Sequence, residues 1–116
     1  KVKDKFGQNS TSLPVQDYIM LKADKKMYRT PYEDILFCEA LGDYVKVHLK
    51  DKVLIVTTTM KKLLAELPEQ IFLRTHKSYI INKTKVEYIE GNQIKIGSQM
   101  ISIGQSYRDV VLKALG

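Results

Sequence analysis

A mainly β domain is what this sequence predicts, and three observations carry that reading. Short segments rich in β-branched and aromatic residues recur along most of the chain. Turn residues stand between them, as in Asp24-Lys25, Leu41-Gly42-Asp43, Gly91-Asn92 and Gly97-Ser98. A helical period shows itself only twice, once near the middle and once at the C-terminus. With 116 residues, 44% hydrophobic and 28% charged, the chain suits one compact domain around a single hydrophobic core.

The elements follow in order. Residues 1–16 carry no periodic apolar pattern but hold Gly7, Gln8, Asn9, Ser10, Thr11, Ser12 and Pro14, which is linker composition. The folded part is placed at residues 17–116. Tyr18 to Ala23 and Lys26 to Thr30 flank Asp24-Lys25 and read as a hairpin. Pro31-Tyr32-Glu33-Asp34 is turn chemistry, and Ile35 to Ala40 is a mainly apolar strand. From Tyr44 to Leu49 the residues alternate, with Val45, Val47 and Leu49 on one side and Tyr44, Lys46 and His48 on the other. Asp51-Lys52 returns the chain into the β-branched Val53 to Thr57. Met60, Leu63, Leu64 and Leu67 then recur at i, i+3, i+4 and i+7, the stripe of one short amphipathic helix. Thr58 or Thr59 caps it, and Pro68 stops it. Strands resume at Phe72 to Thr75, Tyr79 to Ile81, Val86 to Ile89, Gln93 to Ile96 and Met100 to Ile103. After Gly104 a helical segment presents Tyr107, Val111 and Leu115 on one face. Val45, Val47, Phe37, Ile80 and Leu64 are expected in the core.

Several function classes fall away. The two histidines, His48 and His76, are not at metal-ligand spacing with each other or with Cys38, so no metal site or other cofactor is expected. No Gly-rich phosphate loop and no GxSxG elbow is present. Cys38 reads as a small hydrophobe packed in a strand rather than a nucleophile, and the chain is not expected to be an enzyme. No apolar run reaches the length that crosses a bilayer, and no signal peptide is visible, so no membrane association is expected. A lone cysteine fits a reducing compartment, and the expected location is the cytoplasm. A first residue of Lys rather than Met reads as a fragment of a longer chain.

Charge points towards a polyanion. Nineteen Lys and Arg against thirteen Asp and Glu leave a net charge of +6. Arg74, Lys77, Lys83 and Lys85 lie in a stretch free of acids that also holds His76, Ser78, Tyr79 and Asn82. Cations there suit phosphates, and the neutral polar groups suit further hydrogen bonds to nucleic acid. A solvated basic surface reads equally well from composition alone.

The order of the residues separates the two. Phe72-Leu73-Arg74-Thr75-His76-Lys77-Ser78-Tyr79-Ile80-Ile81-Asn82 resembles the signature of LytTR DNA-binding domains: aromatic, x, Arg, x, His, Lys or Arg, Ser, aromatic, two aliphatics, Asn. The segment from Asp34 to Val47 is similar to the family's Asp-Ile-x-Tyr-Ile-Glu-Ala run followed by Gly, Asn or Asp, and Tyr. Ile101 to Tyr107 is similar to its closing segment. The three occur in family order and cover the chain from about Tyr18 onward.

The resemblance implies an elongated fold of several small, mostly antiparallel sheets with one short amphipathic helix and a C-terminal helical segment. It implies sequence-specific binding of double-stranded DNA by the output domain of a bacterial two-component response regulator, acting in transcription. The reading elements are loops rather than a recognition helix. On this chain they correspond to Asp43 and Tyr44 with Lys46 behind, to His76, Lys77 and Ser78, and to Gln105, Ser106 and Arg108. Arg108 suits a bidentate contact to guanine O6 and N7, against an ordinary exposed helix arginine beside an acid. Lys77 suits the same acceptors or a phosphate. His76 and Ser78 suit phosphates that set register, against a packed strand histidine donating to a carbonyl. Tyr44 stacks on the sugar–phosphate edge or closes its hairpin over the core. Glu39 is structural or positions the loop, because a carboxylate beside phosphates is repelled.

Two residues depart from the family pattern. Cys38 stands where an aliphatic is usual, and Gln105 where Arg is frequent, which favours adenine over guanine at that loop. The implied partners are paired direct repeats in promoters, an upstream receiver domain joined through residues 1–16, and a second copy as a dimer on DNA. The alternative from another class is a protein-interaction module whose basic face docks an acidic partner. An RNA platform is disfavoured by the lack of paired aromatics on one sheet.

Overall fold

The central layer is a five-stranded antiparallel sheet, seen in a computed structural model that describes residues 17–115. The stretch expected to be a linker, 1–16, lies outside the described residues. The ten strands are β1 (Tyr18–Ala23), β2 (Lys26–Pro31), β3 (Ile35–Leu41), β4 (Tyr44–Leu49), β5 (Val53–Val56), β6 (Phe72–His76), β7 (Tyr79–Asn82), β8 (Val86–Glu90), β9 (Gln93–Ile96) and β10 (Gln99–Ser102). The helices are α1 (Met60–Glu66) and α2 (Arg108–Leu115), with 3-10 turns at Tyr32–Asp34, Lys83–Lys85 and Gln105–Tyr107. The central sheet has the order β5-β4-β3-β7-β6, and β1-β2 and β10-β9-β8 form two smaller sheets. The body measures 45 × 38 × 24 Å, elongated and flattened.

A single core was expected, but the central sheet buries both faces. Successive residues of a strand point to opposite sides, so Cys38 and Ile80 face one core while their neighbours Phe37 and Ile81 face another. On the first side, Ile19 and Leu21 of β1 and Met60, Leu63 and Leu67 close over Val45, Val47 and Ile80. On the second, Ile94, Ile96 and Ile101 of the three-stranded sheet and Val111 of α2 close over Phe37 and Ile81. Ile80, Ile81, Ile94, Val47 and Val111 are fully buried, which places the largest hydrophobic gain on the two faces of one layer.

Local chemistry explains the helix boundaries. The Thr59 side chain accepts from the Lys62 amide at 3.1 Å, and Leu67 closes the last turn ahead of Pro68. Three members of the stripe, Met60, Leu63 and Leu67, are buried. Leu64, expected in the core, is only half-buried and packs at its rim, because among the described residues that side of α1 faces an open groove. The C-terminal face is as expected in part: Val111 is buried, whereas Tyr107 and Leu115 are half-buried against the second core.

Candidate nucleic-acid interface

Strand direction brings the three candidate loops to one end of the central sheet. β3 rises to Leu41 and turns through Gly42-Asp43 into β4, with Leu41 opposite Tyr44. β6 runs in the same direction two strands away and turns through Lys77-Ser78 into β7. β3 and β7 are antiparallel neighbours with Glu39 opposite Tyr79, and the Ala40 amide donates to Ser78 O at 2.9 Å. The two turns therefore sit side by side. The third segment joins them through Gly104, whose amide donates to Thr75 O at 2.7 Å. A Cβ at Gly104 would stand 3.4 Å from His76 Cδ2 and 3.0 Å from Tyr107 Cδ2, so a larger residue there would push the Tyr107 ring by a few tenths of an ångström and crowd His76.

At the first loop Asp43 and Tyr44 are exposed and Lys46 is half-buried. Tyr44 is 46% exposed, so it does not close the hairpin over the core. It lines a shallow depression with Asp43, Thr57, Thr58, Thr59 and Lys62. Behind the loop, Glu39 Oε1 lies 3.2 Å from His48 Nε2, and Tyr79 Oη donates to Glu39 Oε2 at 3.4 Å. The His48 ring stacks on Phe37 at 4.1 Å between centroids. Burial first, and then the Glu39 charge and hydrogen bond, raise the Tyr79 phenol above its ordinary value. Glu39 is thus engaged from two sides within the sheet face.

In the second loop Lys77 is exposed, while His76 and Ser78 are half-buried. The Ser78 amide donates to His76 Nδ1 at 3.0 Å. The His76 ring is therefore an acceptor rather than a donor to a carbonyl; in the neutral ring the N–H is then at Nε2. Its edge also meets Tyr79 at 5.6 Å. In the third segment Gln105, Ser106 and Arg108 are all exposed. Arg108 Nη1 donates to Asn92 Oδ1 in the β8–β9 turn. This guanidinium meets a neutral amide rather than an acid, and one such bond leaves its other N–H groups available.

The basic stretch does not act as one surface. Lys83 and Lys85 lie in a 3-10 turn at the far end of β7, four residues or roughly 13 Å along the strand from the Lys77 turn. Asn82 and Tyr79 do not present their polar groups to a ligand: Asn82 is fully buried, and Tyr79 is held by Glu39. Three residues at this end escaped the sequence reading. Arg74 was visible as a basic residue and as the Arg of the family-like string, with no role assigned, yet its guanidinium donates to His76 O and Lys77 O. Asn92 and Gly104 were read as punctuation; no local pattern links Asn92 to Arg108, sixteen residues away. Among the described residues no cluster of three metal-ligating side chains occurs, and no helix is long and apolar enough to cross a membrane.

A two-core, mainly β domain built on one central sheet defines the class, and the comparisons agree with that fold. The chain belongs to the LytTr DNA-binding domain family, whose model matches residues 25–116. Its fold is that of a solved LytTr DNA-binding domain from Bacillus cereus, with a TM-score of 0.78 at 19% identity over 88% of this chain and 99% of that one. The chain is 26% identical over 84 residues to the sensory transduction protein LytT of Enterococcus faecalis, covering 72% of this chain and 32% of that protein. It is 28% identical over 87 residues to the transcriptional regulatory protein NatR of Bacillus subtilis, covering 75% and 36%. The chain therefore spans about a third of the length of these curated relatives.

Proposed function

We propose that this domain reads double-stranded DNA in a sequence-specific way through the sheet end formed by Asp43, Tyr44 and Lys46, by His76, Lys77 and Ser78, and by Gln105, Ser106 and Arg108. One observation carries the reading: all three loops lie at the same end of one rigid sheet, with Lys77 and Arg108 exposed there. Arg108 suits guanine, Gln105 suits adenine, and Asp43 suits the amino group of cytosine. Lys77 and His76 Nε2–H suit phosphate oxygens, which set register. The domain acts without catalysis, in the cytoplasm, as the output end of a two-component regulator of transcription. Its upstream partner is a receiver domain, and two copies bind paired direct repeats in a promoter. The transcriptional role of the similar protein NatR supports this setting.

Selection from a random duplex library, followed by binding of the recovered site across a salt series, tests the proposal. Two short repeats about one helical turn apart, bound far more tightly than random duplex, are the expected result. A steep salt dependence with no recovered motif would reduce the basic end to a nonspecific electrostatic patch and favour an acidic protein partner instead.

A further inference from the structure

We propose that Arg74 is a positioning residue for DNA reading: its guanidinium holds the Lys77-Ser78 turn in the shape that presents Lys77, rather than gripping a phosphate. The inference rests on the function proposed above and deepens it. The comparison that carries it lies within the molecule, among its hairpins that turn on two central residues. Between β1 and β2 those residues are Asp24 and Lys25, with φ of 51° and 64°. In the β3–β4, β8–β9 and β9–β10 turns the first central residue is Gly42, Gly91 or Gly97, with φ of 58°, 60° and 58°. Left-handed central residues match the right-handed twist of the paired strands.

The Lys77-Ser78 turn differs from these four, as does the Lys50-Asp51 turn between β4 and β5, closed by the Leu49 amide on Lys52 O at 2.8 Å and held from outside by the Lys50 amide on Asp34 O at 3.0 Å. Neither Lys77 nor Ser78 has a positive φ, although His76 and Tyr79 pair directly on either side. Such a turn splays its strands unless something else holds it. The register of β6 against β7 shifts between Arg74 and His76, a bulge that re-aims the chain just before the turn. Arg74 then reaches across it. Its Nη2 donates to Lys77 O at 2.6 Å and its Nε to His76 O at 3.3 Å, so one guanidinium spans two successive carbonyls. The Ser78 amide closes the other side on His76 Nδ1. A planar fork can serve two acceptors in fixed directions, whereas the point charge of lysine cannot. Arg74 is half-buried and directed at backbone, while Lys77 at the tip is exposed. Arg74 therefore acts on DNA through Lys77.

Arg74→Lys and Arg74→Met, compared with the unsubstituted protein on the selected duplex and on random duplex across a salt series, test this. Positioning predicts that both variants lose about tenfold or more on the selected duplex. Because Lys77 itself suits a phosphate, random duplex weakens as well and the salt slope becomes shallower in both variants, and the lysine charge at position 74 gives no rescue. The idea is overturned if Arg74→Lys binds both duplexes like wild type, whether Arg74→Met then fails, as it would for a charge that grips a phosphate directly, or does not. Hydrogen exchange of the unliganded wild-type protein gives a second readout that needs no variant to fold. Protection of the Arg74 Nε–H and the Ser78 amide is expected, and exchange of Nε–H at the rate of free arginine removes the clamp. Absence of any sequence preference in the wild-type protein instead sinks the DNA-reading proposal, so the two failures are separable.

Discussion

Asn82 fills its whole hydrogen-bonding capacity from a fully buried position. Its Nδ2 donates to Tyr32 O and Ile35 O at 3.1 and 2.9 Å, and its Oδ1 accepts from the Thr84 amide and hydroxyl at 2.9 and 2.7 Å. It ties the end of β7 to the turn ahead of β3 and to the 3-10 turn that follows. Asn82→Ala leaves the carbonyls of buried Tyr32 and Ile35 without their donor, while the amide and hydroxyl of exposed Thr84 can turn to water, and is expected to cost about 2–3 kcal/mol in chemical denaturation. A loss within a few tenths of wild type would show that water replaces the amide there. Thr75 is the converse, since its buried Oγ1 has no hydrogen-bond partner among the described residues. Thr75→Val removes a hydroxyl that folding strips of water without recompense, and is expected to stabilise the domain by about 1 kcal/mol. A lower melting temperature would mean that the hydroxyl is satisfied in solution. The fully satisfied asparagine closes the family-like string from Phe72, so its position was legible; its carbonyl partners, about fifty residues away, were not.

Helix α1 shows how far a periodic pattern reaches at the scale of an element. The stripe Met60, Leu63, Leu64 and Leu67 foretold the helix, and Thr59 with Pro68 foretold its ends. The pattern treats Leu63 and Leu64 alike because both lie on one face. Tertiary packing separates them: Leu63 is 3% exposed, whereas Leu64 borders an open groove between α1 and α2. Leu63→Ala is expected to cost about 2–5 kcal/mol, and Leu64→Ala roughly 1–2 kcal/mol, because a half-exposed side chain gives up less transfer energy and leaves no closed cavity. Equal losses in paired denaturant melts would mean that the groove is filled in solution. The strands were placed to within a residue or so at their ends by alternation and turn chemistry. The 3-10 turn at Lys83–Lys85 was missed because its residues carry no apolar period.

Across the whole molecule, stability and binding make separate demands. The Cys38 thiol lies in the first core, where burial pushes its pKa up from 9.0 to about 12. Below pH 9 it is protonated whether or not the chain is folded, and its contribution to stability is fully present. As the pH rises past 9 only the unfolded chain releases the proton, so stability declines until the folded thiol ionises near 12. Tyr32, raised by burial and by Asp17 and Glu66, and Tyr79 add losses of the same sign above pH 10. Cys38→Ala is expected to flatten the part of the alkaline decline that begins near pH 9; an unchanged profile in denaturant melts against pH would assign the decline to the tyrosines. Binding tests the loop end of the sheet. Arg108→Ala is expected to weaken the selected duplex by about 1–3 kcal/mol and to relax preference at one base. Equal losses on selected and random duplex would leave Arg108 as a phosphate contact or a plain link to Asn92.

Local pattern by itself determined the strands, the one capped helix, the C-terminal helical segment and, through three ordered strings, the family. These follow from side-chain alternation, turn propensity and capping, which act between residues close in the chain. Only the tertiary structure decided that one sheet serves two cores and that Lys83 and Lys85 leave the basic end. It alone decided that Gly104 seats the third loop against His76, and that Arg74 turns inward to backbone rather than outward. Those outcomes depend on which strands pair and which faces are covered, and such contacts join residues that no local period connects.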